Sequence, residues 1–109
     1  MFLPLQITLR NVPRSQDLDE LIRSRAERLQ SFEHRLVSCR IVVERVVRGD
    51  PQFTVRIDLK LPDTEIAVDR QHNVDVHVAL HDAFDAARRQ LEDAVRLRRR
   101  DPKTHSYSR

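Results

Sequence analysis

Residues 38–70 read SCRIVVERVVRGDPQFTVRIDLKLPDTEIAVDR, and the reading of this stretch decides the fold. Phe53, Val55, Ile57, Leu59 and Leu61 alternate with Thr54, Arg56, Asp58 and Lys60. That is the period of a strand with one buried and one wet face. Upstream, Ser38 to about Val47 is rich in valine and isoleucine, the β-branched types that pack well on a pleated surface. Arg48-Gly49-Asp50-Pro51 separates the two runs and reads as a turn. Pro62-Asp63-Thr64 makes a second tight turn, and Glu65 to Arg70 follows as a shorter strand. Three consecutive strands joined by short turns imply an antiparallel meander.

Working outward towards the N-terminus, Leu5-Gln6-Ile7-Thr8-Leu9 alternates again and predicts a first strand. Asn11 to Arg14, with Pro13, breaks it. Ser15 is placed to cap a helix reaching about Phe32, with Asp17, Asp19 and Glu20 favourable in its first turn. Its apolar arc holds Leu18, Leu21, Ile22, Ala26 and Leu29. Arg25, three residues after Ile22 and four before Leu29, falls within that arc. One reading is a snorkelling side chain with its stem on the core and its head in water. The other is a guanidinium held in a groove between two helices and bordered by Arg28 and Arg89. The helical wheel leaves both open.

Towards the C-terminus, residues 75–100 read DVHVALHDAFDAARRQLEDAVRLRRR. Leu80, Phe84, Ala87, Leu91 and Val95 form one apolar stripe at helical spacing, and Asp75 is placed to cap the helix. Asp82, Asp85, Arg89, Arg96 and Arg100 project from the other side. Asp85 precedes Arg89 by four residues and Glu92 precedes Arg96 by four, so two favourable pairs are expected. Arg96, Arg98, Arg99 and Arg100 cluster at the end, where cations complement the helix dipole and also suit phosphates. Asp101-Pro102 is expected to end the helix.

The predicted order is β-α-β-β-β-α, an α+β fold. A four-stranded sheet carries two helices on one face and leaves Arg40, Glu44, Arg56, Asp58 and Lys60 on the wet face. Residues 1–101 form a single domain, and 102–109 are expected to be a disordered polar tail.

Composition narrows the function. Gly49 is the only glycine of the chain, so no glycine-rich phosphate loop can be written. The formal net charge of +3 permits an anionic partner without demanding one. Cys39 is the single cysteine, which excludes an internal disulfide and fits a reducing compartment. Within a valine-rich strand it reads as a buried, inert thiol. Met1-Phe2-Leu3-Pro4 has no signal-peptide features, and nothing approaches the roughly 18 apolar residues of a membrane span. The expected location is the cytoplasm. His77 and His81 share a helix face, but HVALH lacks the Glu of HExxH and offers no third ligand. No activated triad is visible. Neither an enzyme, a metal, a cofactor nor a small-molecule substrate is expected.

The segment LQITLRNVPRSQDLDELIRSRAERLQSF is similar to the N-terminal half of the ribosome hibernation-promoting factors, also called ribosome-associated inhibitor or sigma-54 modulation proteins. Leu5, Ile7, Thr8, Asn11, Leu18, Arg25, Arg28 and Leu29 match that family's pattern without a gap. In the long helix Asp75, Ala79, Leu80, Arg89, Gln90 and Leu91 match it. The resemblance spans residue 5 to about 100 and is to the short form. It implies a fold like that of double-stranded RNA-binding domains. It also implies binding to the decoding channel of the small ribosomal subunit and its 16S rRNA, with translation silenced under stress. It implies a monomer off the ribosome and no chemistry. The residues expected to contact RNA are Arg25, Arg28 and Arg89, which match the pattern, together with Arg88, Arg96, Arg98, Arg99 and Arg100, basic residues of the same helix that stand at positions other than the family's. The chain departs from the pattern at Asp93, where relatives often carry lysine, and at Ala86 and Val95, where basic residues are common. His77 stands where an aromatic residue is frequent. A generic double-stranded RNA binder, or a protein-interaction module whose arginines only solvate, are the competing readings. The first usually has a lysine cluster opening its last helix, where this chain has Val76-His77-Val78.

Overall fold

The computed structural model describes the backbone of residues 4–107 and the side chains of that range except 70–71 and 98–107. The elements follow in the order β1 (Leu5–Arg10), α1 (Gln16–Phe32), β2 (Ser38–Val46), β3 (Gln52–Lys60), β4 (Glu65–Asn73) and α2 (Val76–Tyr107). Strand order across the sheet equals chain order. β1 pairs with β2 in parallel, and the remaining pairs are antiparallel. A parallel pair needs a crossover connection, and α1 supplies it.

The alternation seen in the sequence becomes two faces. Cys39, Ile41 and Val43 of β2 and Val55, Ile57 and Leu59 of β3 are buried. They pack with Ile22, Ala26 and Leu29 of α1 and with Leu80, Phe84, Ala87 and Leu91 of α2. Ile7, Ile41, Ile57 and Val68 form one row of core residues across all four strands. Both helices therefore cover the same side, with α2 lying across β3 and β4. Leu5, Ile7 and Leu9 are only half-buried, because β1 is an edge strand that α1 covers in part. The opposite face carries Arg40, Glu44, Arg56, Asp58 and Lys60, as the alternation requires.

The helix starts are set by the predicted caps. Ser15 Oγ accepts from the Leu18 N–H at 3.1 Å. An Asp75 carboxylate oxygen accepts from the His77 N–H at 2.8 Å. At its other end α1 closes on Glu33, a buried carboxylate. Glu33 Oε2 accepts from the backbone N–H and the Nε of Arg35, both at 2.9 Å. This contact holds the Glu33 carboxyl below its ordinary value even though burial opposes the charge. Gly49 takes φ +74° in the β2–β3 turn with no atom near its Cα side-chain position, so backbone conformation alone calls for glycine.

Three expectations are corrected. β4 runs to Asn73, three residues past Arg70, because Gln71, His72 and Asn73 pair with Val55, Thr54 and Phe53. A register shift between Val55 and Ile57 breaks the alternation there, and polar side chains hide the strand. α2 continues through Asp101-Pro102 to Tyr107. Proline removes one donor, whereas extending a formed helix needs no new nucleus. Of the expected tail, residues 108 and 109 lie outside the described residues. Finally, Asp85 pairs with Arg89 as expected, at 2.8 Å, but Glu92 pairs with Arg88 at 3.3 Å and Arg96 with Asp93 at 3.1 Å.

Candidate nucleic-acid interface

Arg25, Arg28 and Phe32 stand at i, i+3 and i+7 of α1 and so share one face. That face borders α2, because the Arg88 guanidinium carbon sits 5.5 Å from the centre of the Phe32 ring. This distance is within cation–π range. The seam between the helices thus carries Arg25 and Arg28 from one side and Arg88 from the other. Arg25 is half-buried and Arg28 exposed. Both roles weighed for Arg25 stay open in this position, which is half-buried and on the α1 face that carries Phe32.

The charges of the seam are not equivalent. Among the described residues, neither Arg25 nor Arg28 has a carboxylate partner. Arg88, Arg89 and Arg96 each pair with an acid of their own helix, in side chains 60%, 69% and 65% exposed. Exposed pairs of this kind hold weakly and exchange partners readily. Arg89 lies about 100° round the helix from Arg88 and pairs with Asp85, whereas Arg88 is set against Phe32 of α1. The backbone of Arg98, Arg99 and Arg100 continues α2 beyond Leu91, the last buried residue of the helix among the described residues; their side chains lie outside those residues.

The open face of the sheet is different. Arg10 stands opposite Glu44, Arg40 opposite Asp58, and Lys60 opposite Glu65. Arg56 bridges Asp58 at 3.2 Å and Asp69 at 3.5 Å. The hydrogen bond from Arg56 to Asp58 raises the Arg56 pKa. Cation and carboxylate are interleaved, so this face offers little net field to a polyanion.

Among the described residues, no group of three or more His, Cys, Asp or Glu side chains is placed to hold a metal. His77 and His81 are both exposed. Cys39 is fully buried, and burial together with Asp58 pushes its thiol up to about 12. Among the described residues, no helix is long and apolar enough to cross a membrane.

Sequence reasoning missed two features. Phe32, which carries Arg88, looked like the last turn of an amphipathic helix. Arg45 was overlooked although the strand pattern marks it: Cys39, Ile41, Val43 and Arg45 all point to the core face, and only Arg45 is charged.

Known proteins place this arrangement. A ribosomal subunit interface protein from Coxiella burnetii shares the fold with a TM-score of 0.73 at 20% identity, over 84% of this chain and 97% of its own. The N-terminal domain of Protein Y from Thermus thermophilus gives 0.65 at 18% identity, over 85% of this chain and 98% of its own. No curated protein sequence matches at a significant level. The family model described as sigma 54 modulation protein / S30EA ribosomal protein matches residues 5–99. With nearly the whole folded chain matched and the β-α-β-β-β-α order in place, the chain belongs to the sigma 54 modulation protein / S30EA ribosomal protein family, a family of ribosome-associated factors.

Proposed function

We propose that this protein is a non-enzymatic factor that binds the small ribosomal subunit in its decoding channel, against 16S rRNA. There it excludes tRNA and mRNA and silences translation under stress. The observation that carries this reading is the α1 face of Arg25, Arg28 and Phe32, against which Arg88 of α2 is set and on which, among the described residues, Arg25 and Arg28 have no carboxylate partner. An unpaired guanidinium suits a phosphate. Arg88, and at the exposed side of α2 Arg89 and Arg96, exchange their weak helix partners for the RNA backbone. Arg98, Arg99 and Arg100, later in the same helix, are assigned to the same RNA contact. The opening of α2 lacks the cluster of cations that a generic double-stranded RNA binder uses there, which favours the ribosome over a plain duplex.

The test is co-sedimentation with purified small subunits across a salt series, with translation of an mRNA in a purified system alongside. Each phosphate contact contributes about 0.7–0.9 to the logarithmic salt slope. Several contacts therefore predict a steep loss of binding from low to moderate salt. Absence of binding at low salt, or binding indifferent to salt, would refute the reading.

A further inference from the structure

A cavity of about 580 Å³ opens at the end of the domain where both helices begin. Val12 and Pro13 of the β1–α1 loop, Leu18 of α1, Phe53 of β3 and Val76 of α2 give it an apolar lining. Arg45 and His77 stand at its rim, with Asn11, Ser15 and Asp17. Arg45 and Phe53 are direct cross-strand partners, so a cation and an aromatic ring share one wall. Arg45 holds a core-face position where the strand pattern calls for an apolar residue. It forms no ion pair among the described residues. A solvated arginine needs no such place; one set beside a half-buried phenylalanine at a cavity mouth is suited to a ligand that is both flat and anionic.

We infer that this cavity binds a phosphorylated nucleoside, its base against Phe53 and the apolar lining and its phosphate on Arg45. The volume lies within the range of small-molecule pockets, about 300–1,000 Å³. An apolar wall with few polar groups matches a nucleobase, whose faces are apolar and whose edges carry donors and acceptors. Asp17, Asn11 and Ser15 supply acceptors for an exocyclic amine at the rim. His77 adds a second donor for the phosphate. The same chemistry is presented by a free mononucleotide and by an unpaired nucleotide within an RNA strand. The site shares no residue with the arginine seam, and the inference stands independently of the ribosomal reading.

Amide chemical-shift titration of the full chain tests it, with adenosine 5′-monophosphate, adenosine, inorganic phosphate and a hexa-adenylate RNA as separate probes. The monophosphate is expected to shift Val12, Arg45, Phe53, Val76 and His77 in a saturable manner. Adenosine is expected to bind about tenfold more weakly, because a charged hydrogen bond is lost. Arg45→Gln should weaken the monophosphate to the level of adenosine and leave adenosine itself unchanged. Phe53→Leu keeps the wall apolar but removes the ring, and should weaken both by about tenfold. An unchanged amide spectrum away from the cavity establishes that each variant is folded. Saturation by the mononucleotide identifies a free ligand; saturation by the hexanucleotide alone identifies an unpaired base in a strand. No shifts from either probe would overturn the inference. So would equal effects from inorganic phosphate, or an Arg45→Gln variant that binds as well as the parent.

Discussion

The two charged surfaces of this domain carry the same residue types and do opposite things with them. On the open sheet face the cations stand opposite or in contact with carboxylates of the neighbouring strands, Arg40 with Asp58 and Lys60 with Glu65. On the helical side Arg25 and Arg28 share the α1 face whose Phe32 carries Arg88 of the neighbouring helix. The difference teaches that a modest net charge says little about partners. Position decides. Cross-strand matching lets a sheet face water at little electrostatic cost. An unmatched pair on a seam leaves a local positive field for a ligand to neutralise.

The largest effect is expected from breaking that asymmetry directly. Arg25→Glu with Arg28→Glu should lower small-subunit affinity by a hundredfold or more, since each charged hydrogen bond is worth about 1.5–3 kcal/mol and every 1.4 kcal/mol is tenfold. Arg40→Glu with Lys60→Glu changes the net charge by the same amount on the other face. Its affinity should fall only by the small loss of long-range attraction. Because the two variants are charge-matched, co-sedimentation compares position alone. Equal losses would dissolve the distinction between the faces.

A smaller effect sharpens the role of one residue. Arg25→Leu keeps an apolar stem in the α1 arc and removes the charge. Melting temperature should hold or rise, while subunit affinity falls about tenfold, the value of one charged contact. Full affinity with raised stability would show that Arg25 only snorkels.

Much of this arrangement was legible in the chain. Alternation at 53–61 and helical spacing at 80–95 sufficed for the strands, the helices and the shared core face, since burying one face of each element leaves few alternatives. Ser15 and Asp75 announced the helix starts because capping is local chemistry. Arg25 was visible as a cation in an apolar arc. What stayed hidden depended on tertiary contact. Arg88 and Arg89 are neighbours in sequence yet 100° apart on the helix, and only Phe32, from another element, shows which one reaches the seam. β4 ran on through Gln71-His72-Asn73 because its backbone had a partner in β3, a fact no side-chain pattern carries. The cavity beside Arg45 joins residues from five separate segments, so no local window contains it.

Stability should follow burial rather than charge count. Glu33 is the buried acid of the described residues, and its bonds to Arg35 close α1. Glu33→Gln should cost on the order of 1 kcal/mol, at the low end because half-exposed Arg35 regains water. The pH dependence has a definite sign. The folded carboxyl titrates below its ordinary value of 4.5, so its contribution is present above that pH and is lost as the pH falls below it. Cys39 works at the other extreme: the unfolded thiol ionises near 9 and the folded one at about 12. Its contribution is whole below pH 9 and erodes as the pH rises from there. Thermal melts of the parent and of Glu33→Gln between pH 3 and 7 on the order of one unit apart should converge at the acid end. Parallel curves would show that the Glu33 charge does nothing for the fold.

The smallest effect is expected where the sheet looks most elaborately bonded. Arg56 contacts two carboxylates, yet its side chain is 49% exposed and Asp69 is 55% exposed. Water and salt compete for each of these groups, and ordering a long side chain offsets the Coulomb gain. Arg56→Gln should therefore leave the melting temperature unchanged within error at physiological salt. Small-subunit affinity should be equally untouched, since the sheet face lies away from the seam. The variant is informative because it unbalances the matched lattice by one charge without touching the core. A clear fall in melting temperature that high salt abolishes would show the interleaved charges acting as a cooperative network. A clear fall in affinity would place RNA against the sheet, and the comparison between the two faces would have to be reversed.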